Sequence, residues 1–303
     1  MKIIHIKDQE HEMILDPLCA AIGNFDGLHL GHQKLIAECK RHNYKSAVLT
    51  FYPHPYVYLK KIPKYKLITP IEHKSDILAK MGIDYLLIIE FNEAVAKLSK
   101  EAFIDWLKKL NIRACVCGYD FSFGRQAEGT IKDLQKEFEF YEVKKFIFED
   151  VRVSSTYIRE LLTLGDITKV NRLLGRVYSV RGRVKYGTQN GRLIGFPTAN
   201  VEYNNYFIPA NGVYFVTVQL DYKFYFGMCN IGNSPTFNFT PTTRLEVNIF
   251  GLDADIYGMQ IEVFFYQKIR DELAYSSKDA LVEQLTKDRK KCYLLSEAFN
   301  FTK

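Results

Sequence analysis

The chain has 303 residues, 47% of them hydrophobic and 25% charged, with a formal net charge of +6. That composition excludes a disordered polyelectrolyte and leaves room for two domains with separate cores. The mild positive excess suits anionic small molecules and is too weak by itself to argue for nucleic acid. No apolar run approaches membrane-spanning length, and Met1-Lys2-Ile3-Ile4-His5 lacks the apolar core of a signal peptide. Six cysteines are scattered without disulfide or zinc spacing, which reads as core thiols of a cytoplasmic protein.

In chain order, Leu18–Ile22 reads as a buried strand, and helical spacing begins with Leu35, Ile36 and Cys39. Between them runs G-N-F-D-G-L-H-L-G-H, from Gly23 through Asn24, Phe25 and Asp26 to His32. A helix start carries unpaired N–H groups and the positive end of the dipole, so this turn suits an anion. Glycine lets the backbone approach a phosphate closely, and His29 and His32 can both donate to its oxygens. The plainer alternative is a pair of histidines that cap a helix.

Further strands are expected at Ser46–Phe51, Asp84–Phe91, Ala114–Gly118 and Phe138–Phe148, with helices at Pro70–Met81, Lys100–Leu110 and Thr130–Glu137. Such alternation predicts a parallel sheet with a ligand crevice at its C-terminal strand ends. Thr50–Pro55 leaves one strand end, stiffened by Pro53 and Pro55, and Gly118–Gly124 leaves another, carrying Asp120. Ser154–Leu162 opens a helix, with Ser155 and Thr156 as capping hydroxyls and Arg159 one turn along, where it could clamp a phosphate. Lys97-Leu98-Ser99-Lys100 has the look of a synthetase K-M-S-K loop, but its position before a helix makes Ser99 an ordinary N-cap.

A short helix, Asp166–Leu174, ends at Gly175, and the pattern then changes. Strand-like runs at Tyr178–Tyr186, Val213–Leu220, Phe224–Ile231, Arg244–Phe250 and Gln260–Ile269 predict a small closed antiparallel barrel. A final helix, Ser277–Phe299, offers Leu281, Leu285, Tyr293 and Leu294 for packing, and Lys287–Lys291 reads as its solvated face. The expected domains are therefore 1–175 and 176–303. Within the barrel, the glycine-bearing stretch Gly182–Asn200 suggests a flap around a polyphosphate. Thr198 and Asn200 present neutral oxygens suited to a hard cation such as Mg²⁺. All seven histidines precede residue 74, so a base in this half must be something else. Glu246, between apolar neighbours and expected to point inward, is the best candidate; an outward, solvated Glu246 is the alternative.

These motifs carry a resemblance. G-N-F-D-G-L-H-L-G-H-Q, T-F-x-P-x-P, G-x-D-F-x-F-G and S-S-T-x-I-R resemble the nucleotidylyltransferase half of the bacterial bifunctional riboflavin kinase/FAD synthetase family. G-F-P-T-A-N (from Gly195), P-A-N-G-V-Y, Gly227–Phe237, Ile256-Tyr257-Gly258 and the R-x-E of Arg270 and Glu272 resemble its kinase half. The resemblance implies a Rossmann-like nucleotidylyltransferase domain followed by a riboflavin kinase barrel with a C-terminal helix. It implies that riboflavin is phosphorylated with MgATP to FMN and that FMN is adenylylated by a second ATP to FAD. His29, His32 and Arg159 would then hold ATP phosphates, with Ser155 and Thr156 completing that site and Asp120 and the Pro53–Pro55 loop lining it. Thr198 and Asn200 would bind the metal–nucleotide, Glu246 would be the base, and Arg270 would lie near the flavin. Asn248, Gly251 and Tyr275 stand where the family often has histidine, aspartate and phenylalanine. Small-molecule substrates are expected, with no nucleic-acid or membrane partner, and the sequence does not fix an oligomeric state. The rival readings are a single-activity enzyme with one half silent, another adenylyltransferase, and a nucleic-acid-binding protein with an OB-like barrel.

Overall fold

A computed structural model describes residues 1–7, 12–187, 191–234 and 242–297. The chain divides into two compact units, Met1–Ser155 and Thr156–Lys303. In the first, β1 (Lys2–Ile6), β2 (Leu18–Ile22), α1 (Leu30–Cys39), β3 (Lys45–Tyr52), α2 (Pro55–Leu59), α3 (Ile71–Lys80) and β4 (Tyr85–Glu90) follow in order. Then come α4 (Glu93–Ala96), α5 (Lys100–Lys109), β5 (Ile112–Gly118), β6 (Ser122–Phe123), β7 (Gly129–Thr130), α6 (Ile131–Leu134), β8 (Glu139–Val143), β9 (Ile147–Phe148) and β10 (Val151–Arg152).

Six strands form one parallel sheet in the order β1-β4-β3-β2-β5-β8. The central strands are covered on both faces and largely apolar on both sides, whereas the edge strands β1 and β8 keep exposed positions. Leu18, Ala20 and Ile22 pack on one face against Phe103, Trp106 and Leu107 of α5. Cys19 and Ala21 pack on the other, against Ile36 and Cys39 of α1 and Leu78 of α3. Ser99 is the N-cap of α5, accepting from the Ala102 N–H at 3.1 Å, as its sequence position implies. The expected strand Phe138–Phe148 is instead two. The lysines at 144 and 145 interrupt the run, and β9 turns back on β10 through Glu149 and Asp150, both at positive φ. From β2, the chain builds toward β3 and β4 on one side and toward β5 and β8 on the other. The C-terminal ends of β2 and β5 therefore flank the switch point where such sheets hold ligands.

In the second unit, α7 (Ser155–Leu164), whose first residue belongs to the first unit, and α8 (Ile167–Leu174) precede β11 (Tyr178–Lys185) and β12 (Ala199–Tyr203). β13 (Gly212–Leu220), β14 (Lys223–Ser234), β15 (Thr242–Ile249), β16 (Gln260–Arg270) and α9 (Lys278–Glu297) complete it. The strands close in the order β11-β12-β15-β14-β13-β16. The compact division falls after the first residue of α7, rather than after α8 as the sequence pattern implies, because both helices are bonded into the barrel unit. Asn171 of α8 donates to the Phe265 carbonyl at 2.8 Å and accepts from the Tyr178 N–H at 2.7 Å. The Leu162 carbonyl of α7 accepts from the Ala210 N–H at 2.8 Å. β12 is the barrel strand that the pattern reading passes over; its five residues follow Pro197 and are too short to show alternation. The end of the expected last helix, residues 298–299, lies outside the described residues. Among the described residues, no helix is long and apolar enough to cross a membrane.

Phe265 is fully buried, its ring centroid 5.7 Å from that of Tyr214 and 6.0 Å from that of Tyr178. Phe265→Ala is expected to cost about 3–5 kcal/mol of the barrel unit's stability, measured by denaturant unfolding.

Candidate active sites

In the first unit the loop between β2 and α1 is held from several sides. Phe25 and Leu28 take positive φ and bury their side chains in the core beside α1. The Asp26 carboxylate, 2% exposed, accepts from the N–H groups of Ile68 (2.9 Å) and Thr69 (3.2 Å). The Asp26 carbonyl accepts from Ser155 Oγ at 2.7 Å. Phe25, Asp26 and Ser155 were expected to touch ligand, yet their side chains here shape the loop. Gly23 donates to the Leu49 carbonyl at 3.1 Å, fixing the strand exit.

His29 is the N-cap of α1, its Nδ1 accepting from the His32 N–H at 3.2 Å. The two imidazoles stack with ring centroids 3.6 Å apart and planes 15° from parallel. A side chain at Gly31 would come within 3.2 Å of the His29 ring, so the small residue of H-x-G-H makes room for the cap. Nδ1 of His29 thus serves the helix as its cap.

Strand ends of the first unit supply Pro53, Pro55 and Asp120. Pro53 follows Tyr52 through a cis peptide bond, and Pro55 is buried at the first turn of α2. Asp120, in the turn after β5, is ion-paired with Arg152 of β10, whose guanidinium stands 5.3 Å from the Tyr119 ring. Thr156 and Arg159 belong to the second unit, where Arg159 is half-buried with its guanidinium 4.9 Å from the Phe207 ring.

Lys74 is missing from the sequence expectations. It is 3% exposed on α3, and its Nζ donates to the Asn24 carbonyl at 2.6 Å and lies 3.5 Å from Thr50 Oγ1. Thr50 Oγ1 donates to the same carbonyl at 3.0 Å. The signal was a lysine on the apolar stripe of a helix, between Ile71 and Leu78. Burial pushes the Lys74 ammonium down to about 8, partly offset by the Asp26 charge.

In the barrel, register builds the second site. Asn200 lies opposite Glu246, Glu246 opposite Asn230, Asn230 opposite Val213, and Val213 opposite Arg270. Directly paired residues of antiparallel strands face the same way, so one row of side chains crosses five strands. That row lines a cavity of about 420 Å³ with Thr198, Gly191, Asn248, Tyr275, and Leu281 and Leu285 of α9. Leu245 and Val247, which alternate with Glu246, are fully buried on the opposite face, in the barrel interior. Glu246 therefore does not point into the barrel, as its apolar neighbours suggested. Nor is it free in solvent. It faces outward into a cavity that α9 walls off.

Asn248 donates to the Pro197 carbonyl at 2.6 Å, tying β15 to the segment that carries Thr198. A side chain at Gly187 would collide with the Asn200 amide, so the flap backbone lies directly against it. Residues 188–190 of that flap and 235–237 of the Gly227–Phe237 motif lie outside the described residues. Gly195 is exposed at the end of a short turn and is not among the lining residues.

Arg270 is fixed by Asp288 of α9, 2% exposed, through Nε at 2.9 Å and Nη2 at 2.7 Å. Gln284 adds a bond to Asp288 at 2.9 Å. The run 287–291 is thus not wholly a solvated face: Asp288 follows Leu281 and Leu285 at helical spacing, and Arg289 lies 4.6 Å from the Phe196 ring. Leu285 packs into the core there, whereas Leu294 is exposed and Tyr293, half exposed, lies against Phe250.

Two family models match the chain: FAD synthetase over residues 11–157 and riboflavin kinase over residues 174–295. A bifunctional riboflavin kinase/FMN adenylyltransferase of Bacillus subtilis (strain 168) is 40% identical, covering 95% of this chain and 96% of the relative. The chain belongs to this bifunctional family. The family's Escherichia coli (strain K12) member is 36% identical over 88% of this chain and 89% of its own. A crystal structure from Streptococcus pneumoniae, described as a macrolide-efflux protein, superposes with a TM-score of 0.88 at 32% identity, covering 95% of this chain and 97% of that one.

Between about pH 8 and the ordinary lysine value of 10.5, the unfolded chain binds more protons at position 74 than the folded one. Folded stability therefore rises with pH across that window. Relative to Lys74→Met, wild-type protein is expected to gain on the order of 3 kcal/mol there, measured by denaturant unfolding at each pH.

Proposed function

We propose that the two sites divide flavin cofactor synthesis between them. The enzyme phosphorylates riboflavin to FMN and adenylylates FMN to FAD, releasing pyrophosphate. The observation that carries the assignment of residues is the barrel row that sets Glu246 opposite Asn200 in a cavity large enough for a flavin.

In the kinase reaction Glu246 takes the proton from the ribityl 5′-hydroxyl as that oxygen attacks the γ-phosphorus of ATP and ADP departs. The oxygens of Thr198 and Asn200 line the same cavity and fit a hard cation, so they are the residues that would hold Mg²⁺. Such an ion, when bound, offsets phosphate charge. Arg270, braced by Asp288, supports the flavin side of the cavity. In the adenylyl transfer the FMN phosphate is already anionic and needs no base. His29 and His32 donate to charge that builds on the α-phosphate and the departing pyrophosphate. The backbone of Gly23, Asn24 and Phe25 approaches the nucleotide, with Asp120, Thr156 and Arg159 assigned by family resemblance.

The substrates are small molecules, and we place the enzyme in the cytoplasm. All six thiols are free and buried, and burial pushes those of Cys115, Cys117 and Cys229 upward, so they stay protonated.

Glu246→Gln is expected to abolish FMN formation from riboflavin while leaving FMN-to-FAD conversion intact. His29→Ala with His32→Ala is expected to do the reverse. Resolving FMN from FAD by chromatography checks both, and loss of both activities in either folded variant contradicts the assignment.

A further inference from the structure

A buried ammonium needs a reason. Lys74 sits beneath the loop that runs from Gly23 to His32, in a place where its charge is disfavoured, and a neutral side chain would fill the same space at lower cost. Among the described residues, its Nζ pairs with no carboxylate within bonding distance. It donates to one backbone carbonyl, that of Asn24, which already accepts from Thr50 Oγ1 at 3.0 Å. The carbonyl would stay satisfied without the lysine, so hydrogen-bond completion alone does not account for it.

Two features give the charge a task. First, Asn24 opens the segment whose other end carries His29 and His32, and the intervening Asp26 is pinned to Ile68 and Thr69 just before α3 begins. The helix bearing Lys74 and the segment that leads into it thus hold this loop at two points. Second, a carbonyl pulled by a cation polarises its own peptide, which strengthens the Phe25 N–H at the far side as a donor to an anion. The side chain of Asn24 adds a third sign: its Oδ1 is buried without a hydrogen-bond partner among the described residues.

We propose that Lys74 is a positioning residue for adenylyl transfer, its ammonium holding the Asn24–Asp26 segment in the geometry that presents the loop to the nucleotide phosphates. This rests on the reading of that loop as the FMN adenylylation site. Lys74 acts through Asn24 and does not itself touch the substrate.

The test compares wild type with Lys74→Met, which keeps the bulk and removes the charge, and Lys74→Gln, which keeps a donor without charge. FMN and MgATP are the substrates, and the unfolding midpoint of each protein is measured alongside. Wild type is expected to make FAD from FMN. Both variants are expected to lose about tenfold to a hundredfold in kcat/KM for that reaction, with an unfolding midpoint at neutral pH equal to or above that of wild type. Phosphorylation of riboflavin by the same chains should be unchanged. Wild-type kcat/KM in either folded variant overturns the proposal, as does a loss that only follows the fraction unfolded. Failure of wild type itself to adenylylate FMN overturns the site reading, and this inference with it.

Discussion

Strand register is the constraint on which the proposed kinase site depends. Because side chains alternate along a strand, the pairing of β12, β15, β14, β13 and β16 alone decides which groups share a surface. The observed register puts Asn200, Glu246, Asn230, Val213 and Arg270 on one face. A slip of one residue in β15 would send Glu246 into the barrel interior and bring Val247 to the cavity. The apolar residues between these positions serve the opposite purpose, filling the closed barrel and keeping the register from slipping. The α9 helix then closes the polar face, and its Asp288 fixes the guanidinium that ends the row.

The other unit uses a different device. The central strands of its sheet are largely apolar on both faces, which leaves little strand surface for polar chemistry. The proposed site therefore sits on the loops at the C-terminal ends, and loops must be made rigid by other means. Here two core side chains, a buried carboxylate, a hydroxyl and a buried ammonium hold one loop while its histidines cap the next helix. The chain thus joins a site made by strand pairing to a site made by loop anchoring.

Much of this was legible in the sequence. The β2 strand, the start of α1 at the histidine pair and the cap at Ser99 carry strong local signals. They lie where turn chemistry and periodicity place them. What escaped were properties that depend on partners far along the chain. Lys74 looks like one lysine among many until α3 packs it under Asn24, fifty residues earlier. Asp288 sits in a run of charges, and only helix phase shows that it faces inward. For Glu246 the expectation was an inward carboxylate, whereas its apolar neighbours Leu245 and Val247 occupy the interior. Alternation gives two faces to a strand without saying which of them lines the barrel. The hairpin of β9 and β10 was hidden within a single apolar run.

The central claim is that one chain contains two independent sites, each needing its own residues and nothing from the other. Mixing separately purified Glu246→Gln protein with His29→Ala/His32→Ala protein, in the presence of riboflavin and MgATP, tests it most directly. Neither protein alone should form FAD from riboflavin, whereas the mixture should, with FMN passing between molecules through solution. No FAD from the mixture, with both proteins folded, would contradict the account.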